Sequence, residues 1–98
     1  MSNDTIERKM AFSAVISGRV QGVGFRHACA YEARRLGLCG WVKNAWDGSV
    51  EVWSEGPVSA QECFLGWLRE GPPFARVKSI RTAPEIPTGK YQNFSVQY

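Results

Sequence analysis

The sequence predicts an α+β fold in which one antiparallel sheet carries two helices on one face, and three observations support this. Two segments, starting at Phe25 and just after Val58, show the i, i+3, i+4 apolar spacing of amphipathic helices. Short β-branched or alternating segments lie before, between and after them. An Asp47-Gly48 pair between two of those segments is a hairpin turn signal.

The elements follow in order. Residues 10–17, Met-Ala-Phe-Ser-Ala-Val-Ile-Ser, read as a buried strand. The stretch from Gly18 to Gly24 is too glycine-rich for a regular element. From Phe25 the pattern is helical: Phe25, Cys29, Ala33 and Leu36 repeat near i+4, and Gly37 is a natural stop. Residues 39–45 and 49–54 read as hairpin strands; Val50 and Val52 alternate with Glu51 and Trp53, so one face should be buried. Ser59-Ala-Gln-Glu62 matches a capping box, followed by an apolar stripe of Ala60, Cys63, Phe64, Trp67 and Leu68. Gly71-Pro-Pro73 ends that helix, 75–82 reads as a fourth strand, a proline- and glycine-broken loop follows, and 94–98 is a short last strand. Two β-α-β halves joined by a hairpin form a ferredoxin-like βαββαβ sandwich, plus the short C-terminal strand. That architecture hosts many functions and names none.

With 98 residues the chain is expected to be a single domain over 10–98, preceded by a flexible polar segment over 1–9. A net charge of +3 mildly favours anionic partners but is too small to argue for nucleic acid. Three cysteines, without a C-x-x-C, fit a reducing compartment and hence a cytoplasmic protein. Pairing between any two of Cys29, Cys39 and Cys63 stays open. His27 is the only histidine and no carboxylate cluster is present, so neither metal nor cofactor is expected. No apolar run approaches the roughly 20 residues that cross a bilayer, so no membrane partner is expected, and a monomer is the default.

Two stretches carry chemistry. In Ser17-Gly-Arg-Val-Gln-Gly-Val-Gly-Phe-Arg26 a strand runs through a glycine-rich loop into a helix. Glycines let successive backbone N–H groups converge, and the helix start adds free N–H groups and partial positive charge. Arg26, in the first turn, brings a planar fork of donors suited to phosphate oxygens. The same residues would also serve as a tight connection with a surface arginine. In Gly40-Trp-Val-Lys-Asn-Ala-Trp-Asp-Gly48, Asn44 ends a strand. Its amide can accept a hydrogen from water while donating to a phosphate oxygen. Alone, it would equally be a turn-flanking asparagine.

Gly18-x-Val-Gln-Gly-Val-x-Phe-Arg26 and Gly40-Trp-Val-x-Asn44, with Asp47-Gly48-x-Val50-Glu51, resemble the two signatures of the acylphosphatase family. Tyr31-Glu32-Ala33 with Leu36-Gly37-Leu38, and Gly71-Pro72 with Ala75-Arg76-Val77, resemble it too, so the likeness runs over residues 11–98. The resemblance implies a ferredoxin-like hydrolase acting on carboxyl–phosphate anhydrides, with a small acyl phosphate as its substrate. It implies that the backbone of Val20, Gln21, Gly22, Val23, Gly24 and Phe25, together with Arg26, holds the phosphate. It implies that Asn44 positions the attacking water. The chain departs from the family in having Ala45, where threonine is usual. The missing acid–base residues then make sense: a carboxylate leaving group, with a conjugate acid of pKa near 4, departs without a general acid.

The alternative is a nucleic-acid-binding module of the same fold, with Phe12 and Trp53 stacking bases on the sheet. Against it, the RNA-recognition signature is missing and the charge is not clustered. His27 is expected to face solvent about 100° around the helix from Arg26. Lys43 is expected on the opposite sheet face from Asn44, and the tryptophans are expected to pack.

Overall fold

The computed structural model describes residues 8–98. The elements are β1 (Lys9–Arg19), α1 (Phe25–Arg35), β2 (Cys39–Asn44), β3 (Val50–Pro57), α2 (Val58–Glu70), β4 (Arg76–Glu85) and β5 (Phe94–Gln97). They form a sheet of order β4-β1-β3-β2-β5. Each β-α-β crossover steps over one strand: β3 lies between β1 and β2, and β1 between β3 and β4. The four strands of the ferredoxin-like core pair antiparallel, as expected. β5 pairs parallel to β2, so the complete sheet is mixed.

Alternate strand residues supply the core. Phe12 and Ile16 of β1, Val42 of β2, Val50 and Val52 of β3, and Phe94 of β5 pack with Phe25, Cys29 and Ala33 of α1 and Phe64 and Leu68 of α2. Phe64 is central: its ring lies 6.3 Å from that of Phe12 and meets Phe94 edge-on at 5.6 Å. Both helices therefore cover the same face. α1 stops where expected, with the Gly37 and Leu38 N–H groups donating to the carbonyls of Arg34 and Ala33.

Several boundaries differ from the sequence reading. β1 runs on to Arg19 through an irregularity at Ser17/Gly18, so the glycine-rich loop is shorter than expected. β3 extends to Pro57. β4 continues beyond Thr82 to Glu85 because it is an edge strand, where Pro84 can sit with its missing N–H turned from the ladder. α2 begins at Val58 with Pro57 at the N-cap, so Ser59 lies inside the first turn and not at the cap of a capping box. The buried face of α2 is Gln61, Phe64 and Leu68, whereas Cys63 is exposed. Gln61 can be buried because its amide is satisfied: Nε2 donates to the carbonyls of Met10 (2.9 Å) and Ser54 (3.0 Å), and Oε1 accepts from the Ser54 hydroxyl (2.6 Å).

Residues 1–7 of the expected flexible segment lie outside the described residues. Lys9 already belongs to β1, and the Val58 N–H donates to the Arg8 carbonyl at 3.2 Å.

Candidate active site

The connection from β1 to α1 builds the site. Gly22 and Gly24 have φ of 76° and 78°, and a Cβ on either would meet nothing within 4 Å. Backbone conformation, not crowding, is what requires glycine there. Gly24 is the N-cap of α1 and offers no side-chain cap, and the first helical turn contains no acidic residue. The first amides of α1 are thus left open to an external anion.

Val20, Gly22, Gly24, Phe25, Arg26, His27 and Asn44 line one pocket of about 150 Å³. Six of the eight residues expected at a site therefore come together. The other two do different work. Val23 is half-buried and packs against the core. The Gln21 side chain turns to the β2–β3 hairpin, where Nε2 donates to the carbonyls of Ala45 (2.7 Å) and Ser49 (2.8 Å). Those two bonds tie the glycine-rich loop to the hairpin that carries Asn44.

The hairpin tip is itself well held. The Ala45 N–H donates to the Ser49 carbonyl at 2.8 Å, and the Ser49 N–H and hydroxyl donate to Asp47 Oδ1 at 3.0 and 2.7 Å. The Ser49 bonds hold the Asp47 carboxyl below its ordinary range. Next to this turn, at the end of β2, Asn44 Oδ1 is buried and has no hydrogen-bond donor among the described residues. An unsatisfied buried acceptor costs about 1–3 kcal/mol, so the fold tolerates a loss here that it avoids at Gln61.

Arg26 is held from the far end of the chain. Its Nη1 donates to the Gln97 carbonyl at 3.2 Å, and its guanidinium carbon lies 4.6 Å from the centre of the Tyr98 ring. The ion pairs among the described residues are Arg35–Glu32 and Lys43–Glu51, so no described carboxylate neutralises Arg26. β5 is clamped to α1 a second time by Arg34 Nε, which donates to the Phe94 carbonyl at 2.8 Å. His27 is exposed as expected, yet it also lines the pocket and sits 3.2 Å from the Tyr98 hydroxyl. Lys43 lies across from Asn44 as expected, near the Trp41 ring and Glu51.

A sequence model of the acylphosphatase family matches residues 12–96. The chain belongs to the acylphosphatase family. An acylphosphatase of Thermococcus kodakarensis is 50% identical over 74 residues, covering 76% of this chain and 81% of that protein. One from Burkholderia ambifaria is 42% identical and covers 97% of both chains. The crystal structure of acylphosphatase from Bacillus subtilis superposes with a TM-score of 0.87 at 38% identity, covering 91% of this chain and 99% of that one. Nothing favours the nucleic-acid reading. Of its two stacking residues, Phe12 is only 7% exposed and faces the helices, which leaves Trp53 alone on the open face.

The sequence reading missed the side-chain tie of Gln21 and the Tyr98–His27–Arg26 cluster. Gln21 lies inside the signature but was expected to contribute only backbone. The partners of the cluster are 71 residues apart, and no local pattern announces them. The cysteines are settled: Cys29, Cys39 and Cys63 are all free, and burial pushes the Cys29 thiol pKa up. No group of three or more His, Cys, Asp or Glu among the described residues could hold a metal ion.

Proposed function

We propose that this acylphosphatase-family chain hydrolyses acyl phosphates to a carboxylate and inorganic phosphate, with the pocket between loop and hairpin as its active site. The backbone amides from Val20 to Phe25 and the Arg26 guanidinium take the phosphoryl oxygens. Asn44 orients the attacking water. The orphaned Asn44 Oδ1 carries this reading: it is a buried acceptor, at the pocket wall, that needs one donor. A water molecule donating to it would be fixed beside an anion held by the loop.

The reaction then needs little else. Water attacks phosphorus, the P–O bond to the acyl group breaks, and the carboxylate leaves with the bonding pair. The proton lost by water ends on the phosphate product. Positioning and charge stabilisation supply most of the catalysis in such transfers. Arg26, unpaired with any described carboxylate, keeps its full charge for the phosphoryl group. The rigid tie from Gln21 keeps the water site and the anion site in register.

No helix among the described residues is long and apolar enough to cross a membrane. With three free cysteines, one of them exposed, we read the protein as a cytoplasmic monomer acting on a small molecule without a metal.

The test is hydrolysis of benzoyl phosphate and of a phosphate monoester, with and without a chelator, by wild type and Asn44→Ala. Wild type should cleave the acyl phosphate, ignore the chelator and barely touch the monoester, whose alkoxide leaves far less readily. Asn44→Ala should lose turnover yet keep most of the stabilisation by inorganic phosphate, about 2.7 kcal/mol at a hundred times its dissociation constant, read as a rise in melting temperature. Equal rates on both substrate types, or a variant that turns over normally but no longer responds to phosphate, would overturn the assignment.

A further inference from the structure

The pocket is small. About 150 Å³ accommodates a phosphoryl group and little more, against the 300 Å³ or more typical of pockets that enclose an organic ligand. In any acyl phosphate bound there, the acyl half must emerge past the pocket mouth. What stands at that mouth decides which acyl groups are favoured.

Two exposed aromatic residues lie near the two residues assigned to the chemistry, one in sequence and one in space. Trp46 is 99% exposed and follows Asn44 by two residues, at most about 7 Å along the backbone. Tyr98 is 88% exposed and rests against the Arg26 guanidinium, 4.6 Å from ring centre to carbon. Folding usually hides much of a tryptophan, yet no hydrogen bond or ring contact among the described residues holds Trp46. Its exposure does not come from a loose loop. The tip is pinned to the phosphate loop by Gln21 Nε2 at 2.7 and 2.8 Å and closed by the Ala45–Ser49 bond at 2.8 Å. A rigid turn thus presents a bare indole two residues along the chain from the asparagine assigned to position water. Opposite in sequence, His27 lines the pocket and holds the Tyr98 hydroxyl at 3.2 Å, which fixes the second ring beside the arginine.

We propose that Trp46, together with Tyr98, forms an aromatic rim that receives the acyl half of the substrate, so that acyl phosphates with aromatic or bulky apolar acyl groups are preferred to acetyl phosphate. The inference rests on the active-site reading above. Its chemistry is ring stacking and apolar contact outside the phosphate cradle, made by side chains that the phosphoryl transfer itself does not require.

The experiment compares kcat/KM for benzoyl phosphate with that for acetyl phosphate in wild type, Trp46→Ala and Trp46→Phe. Taking the ratio within each protein cancels any difference in the folded fraction, and comparing that ratio between variant and wild type cancels the intrinsic reactivity of the two substrates. Trp46 separates the rim from the catalytic machinery, because Tyr98 also touches Arg26. Trp46→Ala should lower the benzoyl-to-acetyl ratio by roughly five- to tenfold, the size of one aromatic contact, and Trp46→Phe should restore most of it. A ratio unchanged in Trp46→Ala, with both substrates still turned over, overturns the rim and leaves the active site standing. Wild-type protein that hydrolyses neither substrate overturns the active-site reading, and the rim with it.

Discussion

Asn44 and Glu55 sit on the same hairpin, one in β2 and the other in β3, about 17 Å apart along the sheet given five residue steps between Val50, the partner of Asn44, and Glu55. Both present buried oxygens, and the fold treats them in opposite ways. Glu55 is 7% exposed, and its carboxylate is saturated with donors. Oε2 accepts from Trp53 Nε1 (2.8 Å), the Thr88 N–H (3.0 Å) and the Thr88 hydroxyl (2.7 Å), and Oε1 accepts from the Gly89 N–H (3.0 Å). Asn44 Oδ1 accepts from no described residue. A saturated acceptor holds a segment in place, here the loop between β4 and β5. An unsatisfied one is a place reserved for a ligand or a water. On the proposed function the difference separates the structural end of the hairpin from its chemical end, although both residues are polar, lie on strands and carry buried oxygens.

The contrast can be broken most sharply at the chemical end. Arg26→Lys keeps the charge and loses the planar two-point grip. It should lower kcat/KM on benzoyl phosphate by about 2–4 kcal/mol of transition-state stabilisation, the scale of one preorganised donor. A lysine variant within threefold of wild type would remove the arginine from its assigned role.

At the structural end the expected effect is smaller and falls on a different observable. Glu55→Gln keeps the shape but weakens the charge-assisted bonds from Trp53, Thr88 and Gly89. It should destabilise the fold by about 1–3 kcal/mol in urea titrations, while kcat per folded molecule stays close to wild type. If Glu55→Gln instead abolished turnover without loss of stability, the division of the hairpin into two ends would be wrong.

The smallest effect is a pH dependence. Burial alone would raise the pKa of the Glu55 carboxyl, but the hydrogen bonds from Trp53, Thr88 and Gly89 outweigh it and hold the group down to about 2, from an ordinary value of 4.5. A group depressed on folding stabilises the native state above its unfolded pKa. That contribution is fully present above pH 4.5 and is lost as pH falls toward 2. Allowing for solvent screening at the sheet surface, the loss should be on the order of 1 kcal/mol. Urea midpoints measured from pH 6 to pH 2 should fall more steeply in wild type than in Glu55→Gln; parallel curves would show that Glu55 has no such role.

The order of elements, the glycine-rich loop, Arg26 and Asn44 were all legible in the sequence, because each is announced by neighbours within a few residues. What escaped was set by distant partners. Gln61 takes the buried position assigned to Cys63 because Ser54 and the Met10 carbonyl satisfy it. Ser59-x-x-Glu62 has the letters of a capping box, but the chain enters the helix one residue before Ser59, directly from β3 through Pro57. The fourth strand, read as ending at Thr82 before a proline-broken loop, runs on to Glu85 because Pro84 is tolerated on an open edge. The Gln21 bonds span 24 and 28 residues and the Glu55 anchor 33 and 34, which no periodicity reports.

The hold on Arg26 has a kinetic meaning. The arginine belongs to the first helix, but the Gln97 carbonyl and Tyr98 ring that flank it lie 71 and 72 positions along the chain. Contacts between such remote positions close large loops, and topologies rich in them fold slowly. A partly assembled molecule can have its first strand, its glycine loop and its first helix in place and still have a guanidinium free to swing. On the role proposed for Arg26, competence is expected to arrive with the docking of β5 against β2, after the local structure of the loop and first helix.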